Sequence, residues 1–528
     1  MELNSKVKTK DINEEEKLTF YSKKSGIPFE KQIIDKVEIK DPLGFPIQYF
    51  KNMGFVPLYT QNSTLIVAIN NPLNFQAADD FARKMGCRST RFILSTIDEI
   101  HSAINLLFDQ SNEDTEKVVQ DLESYETEAE TIAGLEELPD LMDTTDEAPV
   151  IRLVNFILTK ALKSRVSDIH IEPYAKDIKI RFRIDGILHE IFSVHKRLHP
   201  HIVSRIKIMS GLDIAEKRVP QDGKFKIKVA NRTVDIRVSI IPMSYGERIV
   251  LRILDKSVSL LGLGEMGMSQ ETLQTFESLI SKSHGMILVT GPTGSGKTTT
   301  LYAAISKINS PEKNIITIED PIEYELKGVG QIQVNPKTNL TFAKGLRAIL
   351  RHDPDVIMVG EIRDIETAEI AIQASMTGHL VFSTLHTNDA AGALTRLVDM
   401  GIEPFLIASS LMAVLAQRLV RKICPECKRP FKPDKAILEK HGLPSDQLFW
   451  HGTGCPSCMD SGYKGRTGVF ELLVIDNEIR KLLTRGADSE TIKQAAIKKG
   501  MTTLFEDGLS KVKKGITTLD EVLRVTQE

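Results

Sequence analysis

The hydrophobic pattern near the start of the chain predicts a small module of strands and amphipathic helices. Thr64–Ile69 is an apolar run of strand length, and Arg91–Leu94 is a second. Thr96 and Glu99 have the spacing of a capping box ahead of a further helix. We therefore expect an N-terminal α/β module over residues 1–110.

This pattern breaks at residues 111–149. The segment holds fourteen Asp or Glu residues and a single base, Lys117. Such a run repels itself and contains little apolar surface to bury. An extended linker is the favoured interpretation, ahead of an acidic docking tail.

Regular patterning resumes after the acidic segment with an amphipathic helix. Ile178–Asp185 and Thr233–Ile240 then alternate apolar and polar positions with the period of a strand. Their outer faces are rich in arginine, and Arg248 and Arg252 follow shortly after. We expect an α+β middle domain over residues 150–260 with an arginine-rich surface.

From Gly285 to about Arg421, apolar strands alternate with helices, which predicts a parallel sheet. The most apolar stretch, Phe405–Gln417, is interpreted as a helix, too short for a bilayer crossing of ~20 residues. Residues 265–421 are therefore predicted to form one α/β domain, and residues 471–528 a helical C-terminal domain.

A phosphate-binding loop opens this α/β domain. Met286–Thr290 has the pattern of a buried strand, and the next eight residues fit G-x-x-x-x-G-K-[ST] in full before a helix begins. Loop amides would close around phosphate oxygens, with Lys297 supplying charge and Thr298 a hydroxyl for Mg²⁺. The predicted nucleotide-binding residues are Gly291, Pro292, Thr293, Gly294, Ser295, Gly296, Lys297, Thr298 and Thr299.

Three further apolar runs end in polar residues. They lead into Glu319 and Glu323, into Glu361, and into His386. Because ligands bind beyond the carboxyl ends of parallel strands, we expect these groups to meet at the nucleotide. Glu361 is predicted to orient or deprotonate the attacking water. Glu319 and Glu323 are predicted to steer Mg²⁺ through its water shell, and His386 to sense the γ-phosphate.

The cysteines indicate a metal site. Cys424 and Cys427, and then Cys455 and Cys458, form two C-x-x-C pairs with 27 residues between them. This spacing predicts a closed, structural Cys₄ zinc site in a module over residues 422–470. Two reduced pairs or disulfides are the alternative.

Charge balance, N-terminal composition and cysteine content disfavour some classes of function and location. The 528 residues include 68 Lys or Arg and 71 Asp or Glu. This balance, with no basic groove interleaved with aromatics, makes a nucleic-acid partner unexpected. The N-terminus lacks the apolar core of a signal peptide, and five cysteines favour a reducing compartment. We expect a soluble intracellular protein.

Several motifs resemble those of the type II/type IV secretion ATPase superfamily. Gly291–Thr300, Ile318–Glu323, Val359–Asp364 and Gly378–Asn388 are similar to its Walker A, Asp, Walker B and His boxes. Stretches similar to its middle domain are Ser167–Pro173, Arg181–Gly186 and Leu212–Gly223.

The resemblance implies a RecA-like P-loop motor domain preceded by α+β middle and N-terminal domains, with an inserted Cys₄ zinc module and a helical tail. It also implies a homo-hexamer that binds ATP and Mg²⁺ between the middle and motor domains. Arginines expected to approach phosphate are Arg237, Arg252, Arg347, Arg351 and Arg363. The ring would lie in the cytoplasm, peripheral on the inner membrane, with residues 1–110 docked on the cytoplasmic domain of a membrane platform protein.

Four functions follow from these observations. The favoured one is an ATPase that drives protein secretion through a type II secretion system. A type IV pilus extension ATPase is the near alternative. A DNA-translocating or helicase-like motor is more distant, and a scaffold that binds ATP without turnover is disfavoured by Glu361 and the full set of boxes.

Overall fold

The computed structural model describes residues 14–39, 45, 47–72, 75–111, 149–229, 232–254, 261–432 and 448–526. The predicted acidic linker therefore lies outside the described residues, except for its first and last positions. The chain divides near Ser257 into two compact units, each considered by itself.

A small α/β module opens the first unit. Its elements are α1 (Glu14–Ser25), α2 (Ile47–Met53), β1 (Phe55–Gln61), β2 (Thr64–Ile69), α3 (Phe75–Lys84), β3 (Ser89–Leu94) and α4 (Ile97–Ser111). The strand order is β1-β2-β3, with β2 antiparallel to β1 and parallel to β3. Both predicted strands are confirmed. At α4, the Thr96 hydroxyl accepts from the Glu99 amide, while the Glu99 carboxylate accepts from the Ile33 amide at 3.2 Å.

The middle region packs two helices against an antiparallel sheet. Its elements are α5 (Pro149–Lys163), β4 (Asp168–Pro173), β5 (Asp177–Ile184), β6 (Ile187–His195), α6 (His199–Ser210), β7 (Gln221–Val229), β8 (Arg232–Met243) and β9 (Gly246–Leu254). The strand order is β6-β5-β4-β9-β8-β7. The predicted alternation is confirmed, because Ile178, Ile180 and Phe182 are fully buried in a core shared with both helices.

The second unit is built on a seven-stranded sheet of order β12-β11-β13-β14-β10-β15-β18. Its first elements are α7 (Gln270–Ile280), β10 (Gly285–Thr290), α8 (Lys297–Ile308), β11 (Ile315–Glu319), β12 (Gly330–Gln333), α9 (Phe342–Ile349), β13 (Val356–Val359), α10 (Ile365–Met376), β14 (Leu380–Leu385), α11 (Ala390–Asp399), α12 (Pro404–Ser410) and β15 (Leu411–Ile423). These strands run parallel, so their carboxyl ends lie along one edge.

Helices cover both faces of this sheet. Along β10, Met286 and Leu288 belong to one core cluster, and Ile287 and Val289 to another. Every residue of β10 is buried. A strand enclosed on both faces must be apolar throughout, which explains its continuous hydrophobic run.

The helix predicted at Phe405–Gln417 is confirmed as far as Ser410 and wrong beyond it. The structure ends α12 at Ser410 and continues as strand β15, which pairs with β10 on one side and β18 on the other. The residues Leu411–Ala416 have no periodicity that separates a buried strand from a buried helix. Sheet pairing therefore decides the conformation.

The last strand returns to the sheet after the cysteine module. The remaining elements are β16 (Lys428–Phe431), β17 (Phe449–Gly452), β18 (Tyr463–Val474), α13 (Asn477–Thr484), α14 (Ser489–Lys498), α15 (Leu504–Lys513) and α16 (Leu519–Thr526). Strand β18 lies antiparallel to β15 and crosses the predicted boundary at residue 470. The helical character predicted for the tail is confirmed over α13–α16. Among the described helices, none has both the length and the hydrophobicity for a bilayer crossing.

A buried ion pair fastens the tail to β15. Glu521 is 2% exposed, and its carboxylate accepts from Arg421 at 2.6 Å and from Arg524 at 2.8 Å. Burial alone would raise the pKa of Glu521, but the hydrogen bonds from Arg524 and Arg421 lower it to about 2. The ionised form of this carboxylate therefore stabilises the fold.

We expect Glu521→Gln to lower the free energy of unfolding by about 2 kcal/mol at pH 7. Because the folded pKa is depressed, this contribution is complete above the unfolded pKa near 4.5 and is lost as pH falls towards 2. Denaturant unfolding of both proteins from pH 7 down to pH 3 measures the difference. Glu490→Gln, at an exposed position of the same tail, is the control. A difference that stays constant with pH would contradict the assignment.

Candidate functional site

The phosphate loop, residues 291–298, connects β10 to α8 at the carboxyl edge of the sheet. Gly296 caps the helix with a φ of 88°. The Lys297 ammonium donates to the carbonyl oxygens of Gly291 at 2.7 Å and Pro292 at 3.1 Å. Burial, together with the charge of Arg418, lowers the pKa of Lys297 to about 8, although Glu361 opposes this shift. The loop therefore concentrates positive charge where a polyanion would bind.

The residues present fit a bound phosphate. Ser295 is 4% exposed, and its hydroxyl oxygen has no hydrogen-bond partner among the described residues. A buried hydroxyl without a partner is costly unless a ligand satisfies it. Thr298, the predicted Mg²⁺ ligand, is exposed at the start of α8, and Thr299 is half-buried.

Three more strand ends bring ionisable groups together in what we call the sheet-edge cluster: Asp320, Glu361, Arg363 and His386. The Glu361 carboxylate is paired with the Arg363 guanidinium and lies 3.5 Å from His386 Nε2. Arg363 also lies 3.8 Å from Asp320. Sequence reasoning gave a predicted role to all of these except Asp320, which follows β11 directly.

The register of β10 with β14 sets Thr290 opposite Leu385, so His386 and the phosphate loop follow neighbouring strand ends. Burial is the first cause of the lowered pKa of His386, and the charge of Lys297 adds to it, whereas Glu361 acts in the opposite direction. His386 is therefore mostly neutral near pH 7 and able to accept or donate one hydrogen bond. Glu361 is half-buried and paired with Arg363, and its charge also acts on the pKa of Lys297.

Glu319, one of the residues predicted to steer Mg²⁺, is held by internal hydrogen bonds. It is 3% exposed; its carboxylate accepts from the Tyr302 hydroxyl, from Thr317 Oγ1 at 2.6 Å and from Gln331 Nε2 at 3.0 Å. Burial and the Glu319 carboxylate raise the pKa of Tyr302. In this conformation Glu319 holds β11 to α8 and β12, so a role at Mg²⁺ requires these bonds to rearrange.

The Tyr302 hydroxyl also reaches the segment after β11. It accepts a hydrogen bond from the Glu323 amide at 3.3 Å. The Tyr302–Glu319 pair thus fixes the backbone of the second predicted magnesium-steering residue. The roles of Glu319 and Glu323 at the metal stay predictions.

The five arginines predicted to approach phosphate differ in their contacts and in the unit to which they belong. Arg363 belongs to the sheet-edge cluster, whereas Arg347 pairs with Glu366 on α10, and Arg351 Nη1 donates to the Arg347 carbonyl at 2.7 Å. In the first unit, Arg237 and Arg252 face each other on β8 and β9, and Arg252 Nε donates to Asp168 at 2.9 Å.

The four predicted zinc ligands converge on one point. The sulfur–sulfur distances are 3.8 Å for Cys424–Cys455, 3.9 Å for Cys427–Cys458 and 3.7 Å for Cys455–Cys458. A tetrahedral zinc with bonds of ~2.3 Å requires sulfurs about 3.8 Å apart. The amides of Cys455 and Gly462 donate to Cys458 Sγ, each at 3.3 Å, which would orient this ligand. The cluster is compatible with a structural zinc.

Comparison with known proteins identifies the family. Residues 143–524 match the family described as type II/IV secretion system protein, and residues 25–114 match the MshEN domain. This chain belongs to the type II/IV secretion system protein family. The resemblance found in the sequence motifs is thereby confirmed.

Individual family members are similar over most of their length. The type II secretion system protein E of Pectobacterium carotovorum is 49% identical over 486 residues, which cover 92% of this chain and 97% of the relative. The type II secretion system ATPase E of Vibrio cholerae is 50% identical over 435 residues, covering 81% and 86% of the two chains.

A solved structure supports the fold. The ATPase DotB of Yersinia pseudotuberculosis is similar with a TM-score of 0.55 at 22% identity, covering 75% of this chain and 99% of DotB. The predicted α/β class with a RecA-like motor domain is confirmed. With its phosphate loop, this member of the family is an ATP-hydrolysing enzyme that uses ATP and Mg²⁺.

Sequence reasoning did not single out two polar residues close to the phosphate loop, Gln417 and Arg418. They lie on β15, directly beside the phosphate loop, and are 3% and 8% exposed. The available signal was a Gln-Arg pair inside an otherwise apolar run. The predicted helix over Phe405–Gln417 gave these two residues no special position. Only a strand paired with β10 places them at the carboxyl edge of the sheet, beside the phosphate loop.

We expect metal analysis of the purified protein to find about one zinc per chain. Cys455→Ser removes one of four thiolates and should release most of the metal. Cys87→Ser is the matched control, because this half-buried cysteine packs in the N-terminal module. Plasma emission spectrometry after gel filtration measures both variants. A wild-type protein that is stable and metal-free would refute the zinc assignment.

Proposed function

We propose that this protein hydrolyses ATP to power protein secretion through a type II secretion system. The observation that carries the proposal is the placement of Glu361, Arg363 and His386 at the same sheet edge as Lys297. The names of the relatives favour type II secretion over pilus extension. The balanced charge, 68 basic against 71 acidic residues, weighs against a DNA motor.

The proposed chemistry assigns a task to each group. The loop amides and Lys297 hold the β- and γ-phosphates, and the Ser295 hydroxyl adds a donor. Thr298 is the proposed Mg²⁺ ligand, and the metal supplies charge neutralisation at the phosphates when bound. Gly291–Gly296 and Thr299 complete the proposed binding segment.

Glu361 is the proposed acceptor of the proton from the attacking water. The Arg363 guanidinium pairs with this carboxylate and so fixes its position at the sheet edge. Neutral His386, 3.5 Å from Glu361, supplies a hydrogen bond that responds to the γ-phosphate. A phosphate that recruited Arg363 would free Glu361 to act, so nucleotide binding and catalysis would be coupled through one ion pair.

The assembly and its location are also part of the proposal. By the family resemblance we propose a homo-hexamer, in which Arg237, Arg252, Arg347 and Arg351 neutralise charge on phosphate. We further propose that the protein lies in the cytoplasm, peripheral on the inner membrane. Residues 1–110 would dock on the cytoplasmic domain of a membrane platform protein, consistent with a module that has its own buried core.

Glu361→Gln tests the proposed chemistry. We expect ATP to bind with near wild-type affinity while turnover falls by about 10²- to 10⁴-fold, because the amide cannot accept the proton. Phosphate release measures turnover, and equilibrium binding of a fluorescent ATP analogue measures affinity. Glu369→Gln, an exposed carboxylate on α10, should behave like the wild type. Turnover close to wild type in Glu361→Gln would reassign the base.

Removal of residues 1–110 tests the proposed docking role. The shortened protein should retain basal ATP hydrolysis, because the phosphate loop and the sheet-edge cluster lie in the second unit. It should lose recruitment to inner-membrane vesicles of secreting cells, measured by flotation. Lys297→Ala in the full-length chain is the control that should bind vesicles without turning over ATP. Membrane recruitment that survives the truncation would reject this role for the module.

A further inference from the structure

The strongest unassigned feature beside the nucleotide site is the pair Gln417 and Arg418 on β15. The parallel register sets Thr290 opposite Ala416, so these two residues come next to the phosphate loop as it leaves β10. Both are buried, although one is polar and the other charged. Burying a guanidinium costs free energy unless hydrogen bonds or an opposite charge compensate for the lost hydration.

Gln417 contacts both ends of the phosphate loop. A Cβ on Gly291 would lie 2.5 Å from the Gln417 carbonyl oxygen, and one on Gly296 would lie 2.8 Å from Gln417 Nε2. The Gln417 amide oxygen accepts from Thr300 Oγ1 at 2.6 Å. The first and last glycines of the motif thus allow β15 to approach closely, in addition to leaving room for phosphate.

Arg418 reaches from the phosphate loop to the segment after β14. Its Nη2 donates to the Asn388 carbonyl at 2.7 Å, and Nη1 donates to the Gln417 carbonyl at 3.3 Å. The same Nη1 would lie 3.2 Å from a Cβ on Gly291. Asn388 follows His386 by two residues, so one guanidinium contacts both the loop that holds phosphate and the segment that carries the histidine.

A second contact ties the same segments together. The Thr290 hydroxyl, at the end of β10, is 2.7 Å from the Thr387 hydroxyl and accepts from the Thr387 amide at 2.9 Å. The His386 segment is therefore held from β10 by Thr290 and from β15 by Arg418. Arg418 differs from Thr290 because it also brings a positive charge, close enough to influence Lys297.

We propose that Arg418 is a positioning residue of the ATPase site, which sets the His386 segment against the phosphate loop and adds positive potential at the bound phosphates. This inference rests on the proposed function and deepens it. The charge should govern nucleotide affinity. The planar two-armed guanidinium should govern the alignment of His386 and therefore the catalytic step.

Two substitutions separate charge from geometry. Arg418→Lys keeps the charge and loses the forked hydrogen bonds, so kcat should fall about tenfold while the Kd for a fluorescent ADP analogue changes less than about threefold. Arg418→Met loses both, so the Kd should also rise about tenfold. Full-length protein with Mg²⁺ is used throughout.

Arg421→Met is the matched control on the same strand. Arg421 stacks 4.1 Å from the Tyr463 ring centre and pairs with Glu521, which keeps Arg524 as a partner after the change. This variant should lower the melting temperature and leave kcat and Kd close to wild type. It therefore reports what a purely structural loss on β15 does to the enzyme.

The outcomes are distinct. Wild-type kcat in Arg418→Lys, or wild-type Kd in a folded Arg418→Met, would overturn the proposal. Arg421→Met with the same kinetic loss as Arg418→Met would also overturn it, since strand stability would then explain both. If Arg418→Met does not fold, the kcat of Arg418→Lys decides alone. A wild-type protein that binds no ADP analogue would overturn the ATPase function itself, which separates the two failures.

Discussion

The pairing of β10 with β14 and β15 is the constraint on which the site depends. In parallel register, Thr290 lies opposite Leu385 on one side and Ala416 on the other. This pairing brings three chain segments, each far apart in sequence, to one edge at the height of the phosphate loop. The loop can present its amides and Lys297 because a strand enclosed on both faces holds it rigidly.

Polar groups near this edge fall into two classes by burial. Glu319 is almost fully buried, and its carboxylate accepts hydrogen bonds from Tyr302, Thr317 and Gln331. Glu361 keeps part of its surface exposed and pairs with Arg363, whose side chain is largely exposed. The Glu319 carboxylate is thus committed to several internal donors, whereas the Glu361 carboxylate pairs with a side chain that is itself exposed.

Strand β15 also links the ATPase edge to the cysteine cluster. It runs from Arg418 beside the phosphate loop to Ile423, and Cys424 follows at once. Strand β18 returns from the second cysteine pair and lies antiparallel to β15. The tail adds the buried Glu521 carboxylate to the same strand. Strand β15 therefore connects the residues beside the phosphate loop directly to the cysteine module.

Much of the site could be predicted from local pattern. The phosphate loop, the β5 alternation and the two C-x-x-C pairs depend on residues close in sequence, whose spacing limits the backbone directly. The convergence of Glu361 and His386 followed from one topological rule for parallel strands. The position of Arg363 in this cluster depended on the family resemblance.

Other features required the tertiary structure. Residues Leu411–Ala416 suit a buried helix or a buried strand equally, and only hydrogen bonding to β10 and β18 selects the strand. The commitment of Glu319 depends on three side chains that fold around it, and the roles of Gln417 and Arg418 depend on that same strand pairing. Sequence alone identified the residues that we propose to carry the chemistry of this protein. Long-range burial and strand pairing decided which of them lie together at the carboxyl edge of the sheet, because the energies of burial and pairing depend on neighbours that sequence spacing does not reveal.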